Sequence, residues 1–187
     1  MLSRADAAAL LVEYGRNAAW TAHCRAVAAA AERLGDALAE RHPLDRDRLW
    51  TTALLHDIGR CVTHDPIGHG AEGYKLLTAL GHADEAHVCA SHILFGLPAE
   101  EAAACGLPRR NFLPRTFTES LVPLVDFMIQ HDRPVTLARR FASLRRRNGD
   151  HPWFLERLGR AEAAAVDLAG RLDAELGRSV ADIVAGR

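Results

Sequence analysis

Apolar residues recur three and four positions apart along nearly the whole chain, and no stretch alternates apolar and polar residues as a half-buried strand does. This spacing predicts helices over 4–14, 17–41, 45–59, 69–81, 83–94, 98–106, 119–130, 136–147 and 153–177, with a short segment after them. Asn17 is the expected N-cap of the second helix. Asp45 or Asp47 opens the third. Segment 107–116 carries Pro108 and Pro114 and is expected to be irregular. Pro123 must sit in the first turn of its helix or kink it. The third helix is apolar on nearly all sides from Leu49 to Leu55, as a central element would be. The pattern implies an all-α fold, a single compact helical bundle over 1–187. Its core covers about 17–147, and the helices of 152–187 pack on that core or form a dimer seam through Ala165, Leu168, Leu172 and Leu176.

Polar residues interrupt several apolar stripes. His23 shares one with Val27, Leu34 and Leu38. His56 follows Leu49 and Ala53, and Asp57 follows Trp50 and Leu54. His69 begins a stripe through Gly73, Leu76 and Leu80. His92 lies with Val88 and Phe95, and Asp126 sits between Val122 and Ile129. Four His and two Asp thus project inward from five predicted helices. A buried carboxylate without a partner is expensive. A metal centre would satisfy all six groups together, and imidazole with carboxylate suits iron, manganese, zinc or cobalt better than calcium or magnesium alone. Neighbours on a helix point about 100° apart, so His56 and Asp57 can serve one crowded centre. Gly59 would let the chain turn away at once. His42, His82, His87 and His151 read as surface residues, and His64 as a loop residue near the site. His131 is the strongest rival for a place within it.

Composition narrows the partners. The 187 residues are 49% hydrophobic and 25% charged with a formal net charge of −1, which argues against a dedicated nucleic-acid or membrane-surface binder. The basic run Arg139, Arg140, Arg145, Arg146 and Arg147 reads as a solvated helix face, since no interleaved aromatic platform accompanies it. No apolar run approaches the roughly 18 residues of a membrane span. The first residues lack the apolar core of a signal peptide, and the four cysteines form no CxxC pair, so a cytoplasmic protein with reduced thiols is expected.

The order His23, His56-Asp57, His69, His92, Asp126 resembles the HD superfamily of metal-dependent phosphohydrolases, whose signature H…HD…D maps to His23, His56-Asp57 and Asp126. LLHDIGR looks like the HDIG variant, and HGAEGYKLLTALG like the element that follows it. Segment 90–129 is similar to a poorly characterised HDIG subgroup, and the ligand order also resembles HD-type diadenosine tetraphosphate hydrolases. The likeness covers about 19–140. Arg60 stands where the family usually has lysine, and Val125 where it often has alanine. The resemblance implies that His23, His56, Asp57 and Asp126 hold one divalent transition metal, while His69 and His92 hold a second with Asp57 bridging. Iron comes first, with manganese, cobalt or zinc as alternatives. Asp57 would then be catalytic, in attack by water on the phosphorus of a small phosphomonoester or nucleotide. Arg60, His64, Lys75 and Arg115 are the candidate substrate contacts. Some HD-fold proteins with the same ligands resemble mixed-valent di-iron oxygenases that cleave C–C or C–P bonds with O2. Glu13 and Tyr14, ahead of His23, are the residues here that would suit that chemistry.

Overall fold

Side-chain caps set where half of the helices begin. The computed structural model describes residues 2–187. Helix α1 (Arg4–Gly15) starts where the Ser3 hydroxyl accepts the backbone N–H of Asp6. Asp45 does the same for α3 (Arg46–Leu55), Thr136 for α8 (Leu137–Arg147) and Ser179 for α10 (Val180–Ala185). Helix α2 (Trp20–Leu38) begins later than expected. Arg16 and Asn17 both take left-handed backbone conformations, so Asn17 turns the chain between α1 and α2 instead of capping α2. The remaining helices are α4 (Gly68–Ala79), α5 (Ala83–Ser91), α6 (Ala99–Ala104), α7 (Phe117–Phe127) and α9 (Pro152–Leu176). Among the described residues no helix is long and apolar enough to cross a membrane.

Helix α3 is the hub, as its all-round apolar pattern implied. It packs against α1, α2, α5 and α7, and Leu49, Ala53, Leu54 and Leu55 are buried. Helix α4 lies against α5 and against the short 3-10 turn Ile58–Cys61 that follows α3. Helix α9 packs on α7 and α8, and α10 on α2. There Arg33 donates to the backbone carbonyls of Ile183 and Val184.

Further departures from the sequence expectation lie in α7 and at His87. Helix α7 starts earlier, which puts Pro123 in its interior, and it ends at Phe127. The residues beyond form a minimal antiparallel hairpin, β1 (Ile129–Gln130) and β2 (Arg133–Pro134), with His131 left-handed in its turn. His87 is buried, not on the surface. It stacks on Phe112, and its Nε2 lies 2.9 Å from the Leu113 carbonyl.

Glu119 anchors the start of α7. The Thr116 hydroxyl accepts the N–H of Glu119, and the Glu119 carboxylate reaches back to the backbone N–H of Arg115 at 2.7 Å. The same carboxylate accepts from Arg48 at 3.0 Å and from the Arg115 guanidinium at 2.8 Å. Burial opposes its charge, but the hydrogen bonds from Arg115 outweigh burial and hold the carboxyl below its ordinary value. In the unfolded chain the same group takes up a proton at the ordinary, higher carboxylate pH. The stability it adds is therefore full above that pH and is lost as pH falls through the depressed folded value. Melting temperature should fall across that acidic window and fall less steeply in Glu119→Gln. At neutral pH the variant should be less stable by about 1–3 kcal/mol, the cost of a buried charge-assisted network that is no longer charged. Thermal melts from pH 3 to 7 check both.

Candidate metal centre

Each of the four histidines is oriented by the backbone. Nδ1–H of His56 donates to the Ala53 carbonyl at 2.7 Å, and that of His69 to the Asp65 carbonyl at 2.8 Å. His92 donates to Val88 at 3.3 Å and His23 to His131 at 2.7 Å. Three of these acceptors lie one helical turn earlier in the chain. The fourth comes from the hairpin turn, so His131 enters the site through its carbonyl and not its ring. With Nδ1–H committed, every Nε2 is left facing inward, either as a lone pair for a cation or with a second proton.

The Nε2 atoms converge on two carboxylates. Asp57 divides the cluster. Its Oδ1 faces His69 at 2.8 Å and His92 at 3.5 Å, and its Oδ2 faces His56 at 3.8 Å and His23 at 3.9 Å. Asp126 Oδ1 lies 2.8 Å from His23 and 3.7 Å from His56. Donor atoms of His23, His56 and Asp126 fall within 4.8 Å of one another, as do those of His56, Asp57 and His92. His69 Nε2 is 3.4 Å from His92 Nε2. All six residues singled out from the sequence thus meet at one point.

Charge in this cluster is unbalanced toward acceptors. Burial opposes ionisation of Asp57, but His69 and His56 outweigh it and hold the carboxyl well below the usual range. Asp126 behaves alike, with His23 and His56 overcoming burial. Burial lowers the pKa of His92 and keeps its ring neutral, whereas at His56 burial is outweighed by Asp57 and Asp126. His56 is fully buried, yet its Nε2 has no hydrogen-bond partner. A divalent cation would satisfy that orphan nitrogen and both carboxylates together, and the donor set is compatible with one.

Gly59 does something other than turn the chain. A Cβ there would come within 2.0 Å of the His69 carbonyl and 2.4 Å of the Gly73 nitrogen. Its lack of a side chain lets α4 approach the 3-10 turn, which brings His69 to Asp57. After His92 the backbone is left-handed at Leu94, Phe95 and Gly96. Arg157 of α9 holds this turn by donating to the Gly96 carbonyl, and it pairs with Glu101 at 3.0 Å.

The cluster floors a cleft with two lobes. One, of about 280 Å³, is walled by Ile93, Leu94, Phe127, Leu144 and Phe154. The other, of about 560 Å³, is walled by Trp20, His23, His131 and Asp132. Asp57, Arg60, His64, Arg140 and Arg147 line both. Arg60 Nε donates to Asp57 Oδ2, and His64 stands exposed at the rim.

Lys75 and Arg115 are corrected by this geometry. Lys75 is exposed on α4 and pairs with Glu72 at 2.7 Å, while Arg115 belongs to the network of Glu119 and Asp84. Neither lines the cleft: Lys75 sits off the ligand stripe of α4, and Arg115 lies in the loop before α7, held by two carboxylates. Glu13 is exposed and Tyr14 packs partly buried against the core, and neither lines the cleft. Sequence reasoning missed Arg140 and Arg147. Their signal was an interval of two helical turns within the basic run, which puts both on one face of α8.

The family model described as HD domain matches residues 20–115. An uncharacterized protein of Methanocaldococcus jannaschii is 35% identical over 133 residues, covering 70% of this chain and 78% of that protein. The tRNA (cytidine(56)-2'-O)-methyltransferase of Picrophilus torridus is 33% identical over 116 residues, 62% of this chain. The protein of the same name from Thermoplasma volcanium is 32% identical over 129 residues, 68% of this chain. The match spans only 33% and 37% of these two methyltransferases. No solved structure matches the chain.

Proposed function

This chain belongs to the HD domain family, and on that premise we propose that it is a phosphohydrolase with a dinuclear metal centre, acting on a small phosphorylated substrate. One observation carries the reading. Four imidazoles, each fixed by a backbone carbonyl, turn Nε2 toward two carboxylates at the floor of a cleft whose polar wall is cationic. His23, His56, Asp126 and Oδ2 of Asp57 would hold one ion, and His69, His92 and Oδ1 of Asp57 the other. We assign iron first, with manganese, cobalt or zinc as alternatives. Such ions, when bound, supply a water that is acidic near neutral pH and neutralise charge on the phosphoryl oxygens.

The chain's own residues do the rest. Asp57 spans both halves of the cluster and keeps its charge, so it can hold two cations at a short separation. Arg60 is fixed by Asp57 through Nε, and among the described residues its Nη groups make no hydrogen bond, which leaves them for the phosphoryl oxygens. A guanidinium presents two donors to such a group where the ammonium of a lysine offers a point charge. His64, exposed at the rim and common to both lobes, is the further substrate contact we assign. Phe127, Phe154 and Leu144 give the organic part of the substrate an apolar wall.

Two transition-metal ions per chain are expected on elemental analysis. Hydrolysis of p-nitrophenyl phosphate should be stimulated by iron, manganese or cobalt and abolished by a chelator. It should proceed without O2 and place 18O from labelled water in the phosphate. Saturation at one ion would reduce the centre to a mononuclear one. Strictly O2-dependent turnover of an organic substrate would overturn the hydrolase reading.

A further inference from the structure

The cleft holds more positive charge than one phosphate needs. Arg140 has its side chain 13% exposed, and its Nε is buried without a hydrogen-bond partner. Its only carboxylate neighbour among the described residues is Asp126, at 3.9 Å. Arg147, at the rim, makes no ion pair among the described residues. Partial burial and the nearby guanidiniums of Arg140, Arg60 and Arg146 push its pKa down, so cations crowd this wall, and the carboxylates beside them, Asp57 and Asp126, are the two that serve the histidine cluster. The rest of the run behaves otherwise. Arg145 pairs with Glu162, and Arg139 and Arg146 are exposed and line neither lobe. Asp126 cannot also serve Arg140 fully if it holds a metal ion. Like charges gathered on a cleft wall whose carboxylates are committed to a metal centre cost stability unless a ligand completes them.

Resting on the phosphohydrolase reading, we infer that Arg140 and Arg147 form a subsite for a second anionic group, so that the substrate is a small phosphorylated molecule that also bears a carboxylate or another phosphate. The phosphate to be cleaved sits at the histidine–aspartate floor with Arg60. The second anion spans the two arginines on α8, which their interval of two turns holds on one side of the cleft. Charge-assisted hydrogen bonds there select for the extra anion and against an otherwise identical neutral molecule.

Three probes on one carbon skeleton test this: propyl phosphate, 3-(phosphonooxy)propanoate and propane-1,3-diyl bisphosphate. Their binding to the metal-loaded protein is measured by calorimetry and their hydrolysis by phosphate release. The carboxylate probe, the bisphosphate or both should bind at least about tenfold more tightly than propyl phosphate. Which of them does so identifies the second anion. The ratio should fall toward one in R140Q/R147Q. R147Q alone, which removes no ion pair of the fold, should lower it severalfold. Equal affinity for all three probes in the natural protein, or a ratio that survives both substitutions, would overturn the subsite even if every probe is hydrolysed. Tight binding of the two-anion probes without hydrolysis, lost in R140Q/R147Q, would support the subsite while overturning the phosphohydrolase reading.

Discussion

Asp57→Ala should reduce bound metal to one ion per chain or fewer and lower kcat/KM for p-nitrophenyl phosphate by at least about a thousandfold, well beyond the 10–100-fold typical of removing a group behind a metal ligand. The reason is positional. Asp57 alone presents one oxygen to the His69–His92 side of the cluster and the other to the His56–His23 side. Alanine there leaves four imidazoles with a single carboxylate, and Arg60 without its anchor. The fold should persist, because the surrounding core of Leu54, Leu55 and Ile58 is intact. Elemental analysis and steady-state kinetics on the same sample read both losses, with circular dichroism as the control for helix content. Full activity in a metal-free Asp57→Ala protein would contradict the mechanism. Arg60→Ala, by contrast, should raise KM more than it lowers kcat, because it removes a substrate contact and leaves both ions in place.

The second large effect is on stability. Gly59→Ala should destabilise the protein by at least about 3 kcal/mol, the upper part of the range for overpacking a rigid site. The new methyl would meet backbone atoms of His69 and Gly73, and backbone cannot rotate aside as a side chain does. Helix α4 would have to retreat from the 3-10 turn, taking His69 away from Asp57. Metal affinity should therefore fall together with the melting temperature, although Gly59 coordinates nothing. A Gly59→Ala protein with natural stability and full metal content would show that the close approach is dispensable.

These two residues illustrate what could be read in advance. The six clustered His and Asp were legible because each interrupts an apolar stripe, and a helix makes the inward direction of a stripe unambiguous. The central role of α3 followed from the same logic. Gly59 was legible as a required glycine but not for the right cause, since the chain that presses on it lies ten residues on. Lys75 and Arg115 seemed suitable because they are cations near ligands in the sequence. On a helix one position of offset turns a side chain by about 100°, and that offset sent Lys75 away from the cleft, whereas Arg115, in the loop ahead of α7, is drawn off by Glu119 and Asp84. Arg140 and Arg147 were hidden inside a run of five arginines whose average character is that of a solvated surface. The hairpin after α7 escaped because two-residue strands have no periodicity to detect, and its turn supplies a carbonyl that no side-chain pattern reveals.

The left-handed turn after His92 bears on where this protein can be cut. The segment that matches the family ends before Asp126, before the arginines of α8 and before Arg157, whose guanidinium clasps the Gly96 carbonyl. An excised fragment limited to that segment would keep five of the six convergent groups and lose the sixth. It would also release an unfavourable stretch of backbone that α9 now holds in place. The smallest piece able to reproduce the chemistry must run at least through α9. Conversely, a swap of α9 for a helix from a relative will preserve the site only if the graft carries its own arginine to that carbonyl.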